Sequence, residues 1–220
     1  MKIIEKDAAF TYINNRTYVH SSSIIEYIWL SVKSYFSSYS KQYIFIDIRF
    51  HQVLTSNAKI IVFDKYQDYS KDSLLVSEGV LYTNDTKLYF YLFKDEVSAV
   101  ISNEYFEYSV QIDTNENYGG SCAIGIIDIP SYIRNTIEAN KRVHILTLHN
   151  NEKLEIINLY MKKFPINIPY NNFDKINLHI ENFSIRGHNN DIATLNKIKI
   201  VEFDGMQFDV AFLVKESKNG

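Results

Sequence analysis

The sequence predicts an α+β fold in which a mainly antiparallel sheet wraps around a buried central helix. Three observations lead there. One helical segment is apolar on nearly every side, strand signals follow it in an unbroken series, and turn signals such as Asn84-Asp85 and Asp204-Gly205 join successive strands.

The helix spans Ser22 to Phe36. Ser23 and Glu26 have the spacing of a capping box, in which hydroxyl and carboxylate each satisfy an orphan backbone N–H. Ile24, Ile25, Ile28, Trp29, Val32, Tyr35 and Phe36 follow, with Tyr27 and Leu30 on the remaining sides, a pattern that belongs to a helix buried on most faces. Strands come next. Ile44, Ile46, Ile48 and Phe50 alternate with Tyr43, Phe45, Asp47, Arg49 and His51, and further strands are read over Lys59–Asp64, Leu74–Tyr82, Lys87–Phe93, Val97–Ser102 and Tyr105–Asp113.

Asn115 to Ser121, polar with paired glycines, reads as a turn or linker. Beyond it the sequence predicts a strand over Ala123–Ile129, a short helix over Pro130–Asn140 with proline near its first turn, and a strand over Val143–Leu148. A second longer helix is predicted over Asn151–Phe164, with Leu154, Ile157 and Met161 on one face and Pro165 as its stop. Strands close the chain at Ile176–Ile185, Lys197–Phe203 and Gln207–Val214, and the tail from Lys215 is expected to fray.

An offset of 129 residues lays His20 to Glu26 over His149 to Glu155, and Ile28, Leu30 and Lys33 over Ile157, Leu159 and Lys162. That correspondence predicts two units of similar build, residues 1–102 and 103–220, each a helix wrapped by antiparallel strands.

Composition narrows the function. The chain has 220 residues, 46% hydrophobic and 22% charged, which excludes a disordered polymer. No run of eighteen apolar residues occurs, so no membrane span is expected, and the charged N-terminal ten residues do not read as a secretory leader. The single cysteine, Cys122, makes no intrachain disulfide, and a reduced cytoplasmic setting is expected. A net charge of -3 argues against nucleic acid as partner. The 17 tyrosines and 14 phenylalanines suit strands and match what an AT-rich coding sequence would give.

The order of elements from Tyr18 to Phe93 resembles the hotdog superfamily, in which a curled antiparallel sheet encloses a long helix. The strand entry Asp47-Ile-Arg-Phe-His-Gln-Val-Leu, running into Ala58–Phe63, is similar to the strand that acyl-thioester dehydratases of this fold place after the helix. With a second such unit the chain resembles a double hotdog, like some polyketide dehydratases and the A-factor biosynthesis family. The resemblance implies acyl-thioester processing in a fatty-acid or polyketide-type pathway, by dehydration first and thioester hydrolysis second. It implies an acyl carrier protein or coenzyme A thioester as partner, admits a homodimer, and calls for no cofactor.

By position, the resemblance assigns catalysis to His20 and Glu26, with His149 and Glu155 as the corresponding pair. In the family a histidine beside the helix removes the α-proton of the thioester and a helix carboxylate protonates the leaving hydroxyl. A carboxylate on an apolar helix loses hydration, which moves it toward the working range of a general acid. Two departures stand against the assignment: the family's proline- and glycine-rich segment between histidine and acid is missing, and His20 lies only six residues from Glu26. Glu26 also has a capping role open to it.

Asp47, Arg49 and His51 share one strand face and could bind a carboxylate or phosphate of the substrate, or simply form the solvated side of an amphipathic strand. Gly187 to Asp191 resembles the glycine-histidine-asparagine run of hotdog thioesterases but sits between strand signals, where a polar loop is expected. Cys122 leads into a strand, unlike nucleophilic cysteines at helix N-termini, and reads as a small buried residue. No histidine spacing indicates a metal site. The rival reading is a non-catalytic β-rich binding protein, such as an immunity, inhibitor or accessory protein of a mobile element.

Overall fold

The computed structural model describes residues 1–12, 18–39, 42–98, 100–101, 106–115, 119–148, 154–168, 173–181, 184–188, 191–204 and 206–216. The chain divides into two compact units: Met1–Glu107 with Pro165–Ile168, and Tyr108–Phe164 with Pro169–Gly220.

The first unit opens with a strand the sequence reading did not contain, β1 (Lys2–Ala8). It is an edge strand, mostly exposed, so its side chains show no inward alternation. After the short β2 (Thr11–Tyr12) comes α1 (Ser21–Val32), which ends four residues before the predicted Phe36, and a 3₁₀ turn at Ser37–Tyr39 lies just beyond that predicted end. The helix buries Ile24, Ile25, Ile28, Trp29 and Val32, with Leu30 left exposed. Four strands follow, β3 (Phe45–Phe50), β4 (Ser56–Phe63), β5 (Leu75–Tyr82) and β6 (Lys87–Ser98). They pair antiparallel in the order β1-β4-β6-β5-β3. Their inward residues, among them Ile46, Ile48, Ile60, Val62, Leu88, Phe90 and Leu92, are buried; a fully buried aliphatic side chain contributes about 1.5–3 kcal/mol relative to exposure. A two-residue strand, β7 (Val100–Ile101), runs parallel to β2.

Gly79 on β5 is required by close approach. A Cβ there would run into the Asp47 carbonyl oxygen and the Phe90 ring, so any side chain would force β3 and β5 apart. The turn expected at Asn84-Asp85 joins β5 to β6, with the Thr83 hydroxyl accepting from the N–H groups of Asp85 and Thr86, both at 3.2 Å. The connection from β4 to β5 crosses over β6 through residues 64–74. Its anchor is Tyr91, whose hydroxyl donates to the Gln67 carbonyl and accepts from the Gln67 N–H, both at 2.7 Å. Tyr69 packs edge-on against Tyr91 and Phe93.

The second unit begins with a hairpin, β8 (Val110–Asn115) and β9 (Gly119–Gly125), in which Asn115 faces Gly119; the paired glycines and Ser121 that read as turn or linker belong to β9, and residues 116–118 lie outside the described residues. Next comes α2 (Ile129–Leu148), twenty residues long. It absorbs both the predicted short helix and the predicted strand Val143–Leu148, which is a correction. Asp128 and Ser131 form the capping box that Ser23 and Glu26 were expected to form: the Asp128 carboxylate accepts from the Ser131 N–H at 2.7 Å, and Ser131 Oγ accepts from the Asp128 N–H at 2.9 Å. Arg134, Glu138 and Arg142 make the partly exposed ridge of the helix, with an ion pair between the last two at 3.0 Å.

The predicted helix Asn151–Phe164 is instead a strand, β10 (Leu154–Pro165). Its buried residues Ile156, Asn158, Met161 and Phe164 stand two, three and three apart, because the register shifts between Asn158 and Tyr160 and Lys163 takes a left-handed φ of 55°. These irregularities turn the period of two into one that imitates a helix face. The offset of 129 residues therefore lays a helix on a strand, and that repeat is a coincidence of composition. The remaining strands are β11 (Lys175–Ile180), β12 (Ser184–His188), β13 (Asp191–Ile200) and β14 (Gln207–Glu216). Strand order is β10-β14-β13-β11-β9-β8, with β12 also on β13.

The two units share a plan: the main-sheet strand before the helix, β1 or β9, and the first strand after it, β3 or β10, stand apart with three positions between them. They differ in how the middle is threaded. The first unit crosses from β4 over β6 to β5, whereas the second runs β12, β13 and β14 as successive hairpins. The helix of the second unit that answers to α1 is α2.

Candidate functional site

His20 is fully buried at the N-terminus of α1. It is the N-cap: its Nδ1 accepts from the Ser22 N–H at 3.4 Å and lies 2.6 Å from Ser22 Oγ. The sequence placed the cap at Ser23. The helix starts three residues earlier than the Ser23 cap would allow, because an imidazole nitrogen can fill the position usually taken by a serine or aspartate oxygen. Ser22 is itself fully buried, and the Ser23 and Ile24 N–H groups both reach back to the His20 carbonyl at 3.0 and 3.2 Å. Glu26 lies further along α1, partly exposed and outside the capping position.

Of the corresponding pair, His149 lies outside the described residues. Glu155 stands on β10 opposite Lys215, and its side chain is likewise outside them.

Asp47, Arg49 and His51 do share the outward face of β3, the last just past its end. Two of them are engaged by β5. The Tyr82 hydroxyl donates to Asp47 Oδ1 at 3.2 Å, and His51 Nε2 lies 3.1 Å from Glu78 Oε1. Burial, with the Asp47 charge beside it, holds the Tyr82 phenol well above its ordinary range. Arg49, opposite Glu78 in register, is exposed.

The second unit carries a buried polar cluster that sequence reasoning missed. His144 on α2 and Thr194 and Asn196 on β13 are at most 1% exposed, with Asn140 one turn before His144. His144 Nδ1 lies 2.7 Å from the Asn140 carbonyl and Nε2 lies 2.7 Å from Thr194 Oγ1. A carbonyl can only accept, so Nδ1 carries the proton and Nε2 accepts from the threonine hydroxyl. Desolvation pushes this imidazole down to about 4, so the ring is neutral at pH 7. Both nitrogens are committed to the protein, which makes His144 a structural histidine. Asn196 Nδ2 bonds Asn140 Oδ1 at 2.5 Å, and Phe212 packs edge-on against the imidazole at 5.0 Å. Polar residues at 135, 136, 140 and 144 recur at helical spacing; that was the available signal, and it was masked because polar residues read as outward-facing.

Cys122 is buried in β9 between Ile112 and Leu178 on the neighbouring strands, as its small-residue reading expects. Among the described residues no group of three or more His, Cys, Asp or Glu side chains could hold a metal ion, and no helix is long and apolar enough to cross a membrane. An open groove of about 330 Å³ lies between β8 and α2, lined by Val110, Ile112, Arg142, Ile145 and Leu146.

No family model matches the sequence, and no curated protein matches it. Solved structures match its fold. A conserved protein of unknown function with a hot dog fold from Alicyclobacillus acidocaldarius is 8% identical and aligns over 98% of this chain and 93% of its own, with a TM-score of 0.52. The dehydratase domain from the CurJ module of curacin polyketide synthase is 11% identical and aligns over 94% of this chain and 86% of its own, with a TM-score of 0.50. The chain has the hotdog fold, with the mainly antiparallel sheet and buried central helix that its sequence predicts.

Proposed function

We propose that this hotdog chain, built of two hotdog-like units, processes an acyl thioester, with dehydration of a β-hydroxyacyl group as the reaction. The observation that carries the reading is a fully buried histidine heading the apolar helix of a fold shared, over nearly the whole chain, with a polyketide synthase dehydratase domain. Such a reaction breaks a C–H bond at the α-carbon and a C–O bond at the β-carbon, forms a C=C bond and releases water. It needs a group that takes the α-proton, a donor for the departing hydroxyl, and hydrogen-bond donors on the thioester oxygen where charge develops. His20 and Glu26 are the side chains proposed for this work. The carrier is an acyl carrier protein or coenzyme A, and Arg49, an exposed member of the β3 trio, is the group proposed to meet its phosphate.

The test is turnover of a panel of β-hydroxyacyl thioesters by wild type, His20→Ala and Glu26→Gln. Loss of about 100-fold or more in either variant supports the reading, since that is the usual worth of a positioned acid or base. Equal turnover by all three proteins removes both residues from the chemistry.

One observation favours a non-catalytic partner-binding protein instead. Tyr66 is 59% exposed and packs on Tyr89 and Tyr91, which puts an aromatic surface on the outer face of β6. Absence of thioester turnover in the wild type, with no acyl thioester bound, leaves that reading standing.

A further inference from the structure

We infer that the groove between β8 and α2 is a docking site for an extended polypeptide segment of another protein. The guest pairs with the free edge of β8, drops alternate apolar side chains into the groove and sets a carboxylate against Arg142. This goes beyond the thioester chemistry, since none of the residues proposed for that reaction lines the groove. The first support is the backbone. The Gly125 N–H donates to the Ser109 carbonyl at 2.9 Å, which marks Ser109 as a position bonded across to β9. Antiparallel pairing alternates, so Gln111 also turns toward β9, while Val110 and Ile112 turn their N–H and C=O groups the other way. β8 ends the strand order, and among the described residues no strand lies on that side. A polypeptide carries donors and acceptors at the matching repeat. The edge of the first unit is built differently. Exposed Lys2, Glu5, Lys6 and Asp7 stud β1 and deter strand addition, whereas β8 has one charge, Asp113, beyond the uncharged Val110, Gln111 and Ile112.

The second support is the groove beside that edge. Val110 and Ile112 stand on the same sheet face as their partners Ile124 and Cys122, which are buried, and themselves remain half-buried. Over them Ile145 and Leu146 of α2 are 44% and 58% exposed, large aliphatic side chains that the fold itself leaves uncovered. An added strand sends every second side chain to this face, into the space of about 330 Å³. The third support is charge. Arg142 lines the same groove and stands over the Tyr108 ring at 5.9 Å, two residues before β8 begins. Its Nε bonds Glu138 at 3.0 Å, and among the described residues no acceptor is paired with its terminal nitrogens. A guanidinium holds five N–H donors in a fork that suits a carboxylate, so a second acid is accommodated beside Glu138. Antiparallel addition, the commoner arrangement, brings the C-terminal end of the guest to the start of β8. Its acidic residue therefore follows its apolar ones, in step with them.

The test is fluorescence anisotropy with the full-length chain and an end-blocked, fluorescein-labelled peptide, Lys-Thr-Val-Thr-Val-Thr-Asp-Lys, whose valines and aspartate fall on one face. Saturable binding is expected. Lysine in place of the aspartate should weaken it about tenfold or more. Guest residues opposite Val110 and Ile112 share their face and exchange hydrogen bonds with them, so N-methylation of the two valines should abolish binding and N-methylation of the flanking threonines should not. Leu146→Asp changes a side chain that is already exposed; it should leave the urea midpoint unmoved and weaken binding about tenfold or more. Arg142→Glu should reverse the preference, so that the lysine peptide binds better than the aspartate one. No saturable binding by the wild type, binding indifferent to Leu146→Asp or to which residues are N-methylated, or an Arg142→Glu that still prefers aspartate overturns the inference. A chain that ignores the peptide but self-associates in sedimentation, and dissociates on Leu146→Asp, gives this face to a second copy and overturns it as well.

Discussion

Acidification should unfold the second unit through one histidine. His144 is buried, its Nδ1–H donates to the Asn140 carbonyl, and its Nε2 accepts from Thr194. Desolvation pushes the ring down from 6.5 to about 4, partly opposed by the bond to Asn140. In the unfolded chain the ring returns to 6.5, so between pH 6.5 and 4 the unfolded state binds a proton that the native state refuses. Unfolding free energy therefore decreases as pH is lowered through that window, by about 1.4 kcal/mol for each pH unit and roughly 3 kcal/mol in all. This contribution is complete above pH 6.5, is lost as pH drops to 4, and changes no further below it.

The experiment is urea unfolding of wild type and His144→Gln at pH values from about 7.5 down to about 4.5, taking the difference at each pH. Glutamine cannot titrate, and every other group common to both proteins cancels. At neutral pH the variant should be less stable by about 1–3 kcal/mol, because it strands a hydrogen-bond partner and loses the contact with Phe212. Toward pH 4 that gap should close or reverse by roughly 3 kcal/mol. A gap that stays constant with pH refutes the buried-neutral assignment.

Further expectations can be checked by the same methods. Gly79→Ala should destabilise by about 2 kcal/mol or more in urea unfolding, because a Cβ there meets the Asp47 backbone and the Phe90 ring, whereas Gly125→Ala meets chiefly the Ser109 side chain and should cost less. Asp128→Ala should cost about 1 kcal/mol and appear as faster hydrogen exchange in the first turn of α2. Tyr91→Phe leaves the Gln67 N–H and carbonyl without their anchor and should raise exchange across residues 64–74, at a cost of about 1–3 kcal/mol.

The first unit was legible because its periods are clean. Ile46 and Ile48 alternate with outward residues, Leu88, Phe90 and Leu92 do the same, and α1 is apolar enough to announce a buried helix. Its edge strand β1 was hidden, since an exposed edge has no buried face to print a pattern. The second unit was misread at two places for opposite reasons. In β10 a register shift and a left-handed lysine convert a strand's spacing into a helix-like one. In α2 the buried face is partly polar, so Asn135, Thr136, Asn140 and His144 read as an outer surface and the chain beyond Lys141 read as a strand. The candidate site was legible at His20 only by position; its capping role and its link to Ser22 depend on which atom takes the helix N-terminus, and spacing alone pointed to Ser23.

The two buried histidines show why position in the core does not decide function. Each heads or lines the long helix of its unit, and each is at 0% exposure. His144 spends one nitrogen on a carbonyl of its own helix and the other on a threonine of the sheet, so its ring is a strut between α2 and β13. His20 turns Nδ1 to the helix cap, where it meets the Ser22 N–H and hydroxyl. A neutral imidazole has one donor and one acceptor, and a cap that uses only the acceptor assigns the donor to Nε2. The polarity is set by the backbone: a helix N-terminus presents N–H groups and so selects the acceptor nitrogen, while the interior of a helix presents carbonyls and selects the donor. Placing one histidine before α1 and the other within α2 is therefore enough to give the two rings opposite tautomers. Nitrogen-detected NMR of the histidines checks this comparison, with Nδ1 expected to be protonated in His144 and Nε2 in His20.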